Sequence, residues 1–173
     1  MVGHLFLIGF MGAGKSSVGR LLAADLDVPF IDLDESIVTN AGRTIPEIFE
    51  SQGEVAFRQL ETDALIALQD STPSVVACGG GVVLTAANRA ALKRMGMVLY
   101  LKVDAAEALA RIGDTSTRPL LAGPAGSMAA TSLLAARECL YDALADATID
   151  TRGLSISDVA QTALKVLSDR TTP

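Results

Sequence analysis

The sequence predicts an α/β fold: a three-layer sandwich in which helices cover both faces of a five-stranded parallel sheet. Two observations carry this. Five apolar, strand-like runs at 4 to 8, 28 to 33, 74 to 78, 97 to 102 and 147 to 150 alternate with segments whose apolar residues recur at helical spacing, the pattern of a parallel sheet with helical crossovers. The first run also leads directly into Gly9-Phe10-Met11-Gly12-Ala13-Gly14-Lys15-Ser16, which fits G-x-x-x-x-G-K-[ST] at every fixed position. In such sheets ligands sit beyond the carboxyl ends of the strands, so functional side chains are expected just after them.

Composition narrows the classes. The chain has 173 residues, enough for one domain with a sizeable core. Half its residues are hydrophobic, yet no apolar run approaches the length of a membrane span, and no export signal is visible before the first strand; a soluble, cytoplasmic chain is expected. Cys78 and Cys139 lack C-x-x-C spacing and His4 is the only histidine, which argues against a zinc site or a disulfide framework. A formal charge of −6 and a pI near 4.7 argue against a nucleic-acid surface, which needs a basic face. Any anionic small substrate must then be met by individually placed arginines.

Each element follows in order. Leu5 to Ile8 read as a buried strand, and Val18, Leu21, Leu22 and Leu26 as one face of the helix after the glycine loop. In that loop Gly12, Ala13 and Gly14 let successive N–H groups face inward, and the helix beginning near Lys15 adds its positive end, so a polyphosphate is cradled. Lys15 is expected on the β and γ phosphates, Ser16 on Mg²⁺, and Ser17 beside them. A glycine turn without a ligand would need neither the lysine nor the serine.

After the second strand come Asp32 and Asp34, on one side of an extended segment. One carboxylate can serve Mg²⁺ and the other an attacking hydroxyl; one of them is also expected to cap the helix starting near Ser36. Thr44-Ile45-Pro46-Glu47 opens a short helix, and a second runs from about Gly53 to Leu68 with Arg58 and Glu61 three apart on its border. By spacing alone that pair reads as a surface ion pair.

The third strand runs into Gly79-Gly80-Gly81 and then a helix near Thr85. The glycines are either a flexible turn or bare backbone approaching a ligand, and their place at a strand end favours the ligand. A Gly/Pro-bounded segment from 113 to 124 carries Arg118 beside Pro119-Leu120-Leu121 and reads as a lid over a phosphoryl-transfer site, with a solvated surface loop as the alternative. In the next helix Leu133, Leu134, Arg137, Leu140, Tyr141 and Leu144 share one face. Arg137 therefore stands within an apolar stripe and must meet either an internal carboxylate or a substrate anion. Asp150-Thr151-Arg152-Gly153 follows the fifth strand, where a loop could touch a nucleotide base, and Asp169 to Pro173 read as a frayed tail.

With these residues assembled, the chain resembles the shikimate kinases, small phosphate-loop enzymes of the nucleoside monophosphate kinase-like group. The likeness spans nearly the whole length: Gly9 to Ser16, Asp32-Leu33-Asp34, Phe57-Arg58-Gln59-Leu60-Glu61, Gly79-Gly80-Gly81, Arg118-Pro119-Leu120-Leu121, and Arg137 with Tyr141. The resemblance implies ATP and shikimate as substrates, with Mg²⁺ as cofactor and substrate-binding helices spanning about 34 to 61; from a single chain without an appended domain a monomer is expected, and from charge and hydropathy no nucleic-acid or membrane partner. It implies that Asp34 meets the substrate hydroxyls, Asp32 acts on Mg²⁺ through water, and Arg58 and Arg137 grip the shikimate carboxylate. Glu61 would steady Arg58, Gly79, Gly80 and Gly81 would supply backbone contacts, and Phe49 and Phe57 would flank the ring. Arg118 would close onto the phosphates and Arg152 would lie near adenine. The rivals are a gluconate or nucleoside monophosphate kinase of the same group, and a regulatory module that binds ATP without transferring phosphate. The acidic pair argues against the module, and the paired arginines favour a small hydroxylated carboxylate over a nucleotide.

Overall fold

The computed structural model describes residues 3–112 and 126–171. Its elements are β1 (His4–Ile8), α1 (Lys15–Asp25), β2 (Phe30–Asp32), α2 (Leu33–Ala41), α3 (Ile45–Ile66), β3 (Val75–Ala77), a 3-10 turn (Val82–Leu84), α4 (Ala86–Met95), β4 (Gly96–Lys102), α5 (Ala105–Ile112), α6 (Gly126–Leu144), β5 (Ala147–Asp150) and α7 (Ile156–Thr171). All five strands are parallel, in the order β2-β3-β1-β4-β5, as expected from the alternation of strand and helix patterns.

β1 is central and buried along its whole length, which is why it reads as an unbroken apolar run. Alternate side chains enter opposite layers. Leu5 and Leu7 join Val75, Leu99, Leu101, Val18 and Leu22 on the α1 side, whereas Phe6 and Ile8 join Val76, Val98, Tyr100, Leu65 and Leu92 on the other. A smaller cluster of Ile37, Ile48 and Phe57 ties α2 to α3. His4 enters the core with both ring nitrogens engaged, at the Leu68 carbonyl and the Ser74 N–H.

Element boundaries depart from the expectations where side chains intervene. The second strand ends at Asp32 rather than 33 and α2 begins at Leu33 instead of near Ser36, because the Asp32 carboxylate accepts the Asp34 and Glu35 N–H groups and starts the helix early. Asp34 is therefore in the first helical turn, not on an extended segment. The helix opened by Thr44 and the one expected from Gly53 are a single element kinked at Gly53, whose φ of 79 and ψ of 175 are not helical. Thr44 and Glu47 form the anticipated capping box, with Pro46 in the first turn. The expected frayed tail is helical as far as Thr171. The segment 113 to 124 read as a lid, with Arg118, lies outside the described residues.

Candidate active site

The loop joining β1 to α1 carries the groups expected from the sequence to meet phosphate. Gly12 has φ 76, and a Cβ there would lie 2.5 Å from the Ala108 carbonyl of α5, so no other residue fits without strain. α1 begins at Lys15 without a side-chain cap, leaving its first N–H groups directed out of the helix end, where anions are favoured. Lys15 Nζ donates to the Gly9 and Phe10 carbonyls, both at 2.9 Å, which holds it along the loop. Ser16 Oγ donates to Asp32 Oδ2 at 2.6 Å. Asp32 thus caps α2 with one oxygen and meets Ser16 with the other.

These groups border a cavity of about 740 Å³. Gly12 to Val18, Asp32, Asp34, Cys78 and Gly80 line it, together with Arg111, Thr151, Leu154, Ser155 and Ile156. Beyond Gly80, α3 and α6 converge on the triple glycine. Arg58 Nη1 donates to Glu61 Oε2 at 3.0 Å, and Nη2 to Glu54 Oε1 at 2.9 Å. Arg137 Nη1 approaches the Gly80 carbonyl at 3.4 Å, and the Tyr141 hydroxyl donates to that same oxygen. A Cβ at Gly81 would stand 2.1 Å from Arg58 Nη1, so glycine there is what lets the guanidinium lie against the backbone.

The Arg58–Glu61 pair is not a surface pair: Glu61 is 0% exposed and Arg58's side chain 15%. Burial raises the Glu61 carboxyl to about 7, with Arg58 opposing and Asp34 reinforcing the shift. Arg137 is only 4% exposed, and among the described residues no carboxylate lies within ion-pair distance of it.

Asp34, the glycines, Arg58 and Arg137 are thus brought together, next to Lys15, Ser16, Ser17 and Asp32. Phe57 lies in the core cluster with Ile37 and Ile48, its ring 4.9 Å from that of Phe49. Arg152 is exposed, pairs with Asp150 and does not line the cavity. Among the described residues the arginine lining the cavity is Arg111, which sequence reasoning missed; it donates to Thr151 Oγ1 at 2.9 Å and to the Thr151 carbonyl at 2.6 Å. Its signal was its place in the last turn of the helix before the 113 to 124 segment, facing a strand end. Among the described residues no three acidic, His or Cys side chains cluster as a metal cage. Ser16 and Asp32 nevertheless offer adjacent hard oxygens beside the phosphate loop, the sparse protein contribution that suits Mg²⁺ held mainly through phosphate oxygens and water.

Three comparisons bear on this geometry. The family described as shikimate kinase matches residues 11–168. The chain is 43% identical over 164 residues to the shikimate kinase of Stenotrophomonas maltophilia, covering 94% of this chain and 91% of that one. It is 46% identical over 156 residues to the shikimate kinase of Geobacter sulfurreducens, covering 90% and 86%. The solved structure of the shikimate kinase from Acinetobacter baumannii in complex with shikimate superposes with a TM-score of 0.96 at 38% identity, over 100% of this chain and 97% of that one.

Proposed function

The chain belongs to the shikimate kinase family, and from that premise we propose how its residues divide the work of moving the γ-phosphoryl group of ATP to the 3-hydroxyl of shikimate. The reaction is an ATP-dependent phosphotransfer giving shikimate 3-phosphate and ADP, on the route to chorismate and the aromatic amino acids. The observation that carries the assignment is the meeting of Asp34, Arg58 and Arg137 around Gly79 to Gly81 at the edge of the cavity that holds the phosphate loop.

The loop N–H groups, Lys15 and Ser17 hold the polyphosphate. Mg²⁺ held by Ser16 directly and by Asp32 through water would neutralise charge on the phosphate oxygens. Arg137 and Arg58 take the shikimate carboxylate, with Glu61 and Glu54 fixing the Arg58 fork. That grip orients the ring so that its hydroxyl reaches Asp34, which aligns it and accepts its proton. Transfer passes through a loose transition state, so position and charge carry most of the catalysis. Arg118, assigned from the sequence alone, would add positive charge as the phosphoryl group moves. Arg111, which lines the cavity with Leu154 and Ile156 whereas Arg152 does not, is our candidate for the residue beside the base. We read the enzyme as a monomer of the cytoplasm acting on small molecules alone. Its acidic balance speaks against a nucleic-acid partner, and among the described residues no helix is long and apolar enough to cross a membrane.

ADP release with MgATP, compared across shikimate, gluconate, nucleoside monophosphates and no acceptor, tests the substrate assignment. Release dependent on shikimate alone is expected. Equal release with gluconate would overturn the assignment of Arg58 and Arg137 to a ring carboxylate.

A further inference from the structure

Tyr141 stands one turn after Arg137 on α6, so the two side chains lie one above the other on the same face, yet no step of the transfer uses it. Its side chain is fully buried. The ring stacks on that of Tyr100 in β4, with centroids 5.1 Å apart and planes at 27°, so the sheet fixes where the phenol points. The hydroxyl donates to the Gly80 carbonyl, the same oxygen that Arg137 Nη1 reaches only at 3.4 Å. Two donors thus converge on one acceptor, and the tyrosine holds it more closely. Gly80 is hemmed in on its other side by the phosphate loop: a Cβ there would lie 3.5 Å from the Gly9 carbonyl oxygen and from the Met11 nitrogen, and 3.7 Å from the Tyr141 hydroxyl. The carbonyl therefore has little room to turn away from α6.

A guanidinium carries five N–H donors and no acceptor. Were the Gly80 carbonyl open, a buried arginine without a carboxylate partner among the described residues would be drawn onto it. Tyr141 meets that oxygen first. Burial pushes its phenol up to about 12 against the opposing charge of Arg137, so it keeps its proton near neutrality and remains a donor. Tyr100 offers the contrast of a phenol that is equally buried but whose hydroxyl has no hydrogen-bond partner among the described residues.

We propose that Tyr141 is a positioning residue for the acceptor: its hydroxyl occupies the Gly80 carbonyl and thereby keeps the Arg137 guanidinium turned toward the substrate carboxylate instead of the backbone. The proposal rests on the reading of Arg137 as a carboxylate-binding arginine and adds what holds it ready. Without the hydroxyl, Arg137 and the Gly80 carbonyl satisfy one another, and the incoming carboxylate must break that contact before it can bind. ATP, which draws on the loop N–H groups and Lys15, does not depend on it.

Tyr141→Phe keeps the ring on Tyr100 and removes only the hydroxyl. By calorimetric titration its dissociation constant for shikimate is expected to rise about tenfold, the worth of one well-placed hydrogen bond, while that for MgATP and kcat at saturating shikimate stay close to wild type. Tyr100→Phe, which removes the unpartnered hydroxyl of the other stacked ring, should change neither; an equal rise there would assign the effect to ring packing and overturn the proposal. In an Arg137→Lys background, where the planar fork is already lost, Tyr141→Phe should add less than about twofold. The full loss recurring in that background would show that the hydroxyl acts independently of Arg137. Unchanged shikimate affinity in Tyr141→Phe alongside a weakened Arg137→Ala would overturn the role of the tyrosine alone, whereas unchanged affinity in Arg137→Ala would bring down the reading of Arg137 beneath it. A measurement on the wild type covers a Tyr141→Phe chain that does not fold. With two tyrosines in the sequence, ¹³C at tyrosine Cζ gives two NMR signals, assigned by Tyr100→Phe. Saturating shikimate is expected to shift the Tyr141 signal, because the Arg137 charge that acts on this phenol is then shared with a carboxylate; a signal indifferent to shikimate would overturn the proposal.

Discussion

At the scale of single residues, the buried charges are the most exposed to test. Arg137 stands at 4% exposure with the Gly80 carbonyl as its hydrogen-bond acceptor. Arg137→Ala is expected to weaken shikimate binding by roughly 2 to 5 kcal/mol while leaving ATP binding nearly intact. Calorimetric titration of each substrate checks this, and an unchanged shikimate affinity would remove Arg137 from the site. Asp32 carries two tasks that separate cleanly, since asparagine caps helices as well as aspartate does. Asp32→Asn should leave the unfolding free energy within a few tenths of a kcal/mol of wild type yet raise the Mg²⁺ concentration needed for activity, whereas Asp32→Ala should also cost about 1 kcal/mol of stability. Activity of Asp32→Asn with an unaltered Mg²⁺ requirement would leave Asp32 as a cap alone. The burial of Arg137 was legible in the sequence because it stands within the apolar stripe of its helix. Arg111 was not, because an arginine in a last helical turn looks like an ordinary partner of the helix dipole until Thr151 is brought across from the end of β5.

Among the elements, the triple glycine is the hinge between the sheet and the two arginine-bearing helices. It follows β3, accepts Tyr141 and Arg137 from α6 at Gly80, and lies against Arg58 from α3 at Gly81. Gly81→Ala would place a methyl 2.1 Å from Arg58 Nη1. The obstacle is the end of a long side chain and not backbone, so the fold should persist and the guanidinium should be displaced from Glu61. KM for shikimate is expected to rise about tenfold or more, with KM for ATP and the unfolding midpoint little changed; equal loss for both substrates would mean that the loop, not Arg58, had moved. The strands, their parallel order and the helix faces were legible because apolar periodicity reports burial directly. The early start of α2 was not, since it depends on which of two nearby aspartates captures the helix N–H groups. The burial of the Arg58–Glu61 pair was also hidden: spacing of three along a helix says that two side chains meet, and only the packing of α3 against Gly79 and Gly81 puts that meeting inside the molecule.

Across the whole molecule, burying Glu61 ties stability to pH in a direction opposite to that of most carboxylates. Its folded-state value is raised from 4.5 to about 7, so between these values the native state binds a proton that the unfolded chain has released. The stabilisation is fully present below 4.5 and is lost as pH rises through about 7; a shift of this size corresponds to roughly 3 kcal/mol at most. Asp146 acts from the other side. Burial pulls its carboxyl upward, but Lys93 and the Val98 N–H prevail and hold it below its ordinary value, so its contribution is present above that value and lost on acidification. Asp146 acts below its ordinary value of 3.8, so across neutrality it is Glu61 that sets the slope. Thermal unfolding followed from pH 4.5 to 8 should show a falling midpoint in the wild type, and Glu61→Gln should flatten the curve across that window, because its side chain cannot release a proton. A wild-type midpoint that holds level or climbs through neutrality would mean that Arg58 keeps Glu61 ionised in the free enzyme. In that case the burial of the Arg58–Glu61 pair would carry no pH-dependent penalty, so the slope of the midpoint through neutrality reads directly whether the free enzyme holds a proton on Glu61.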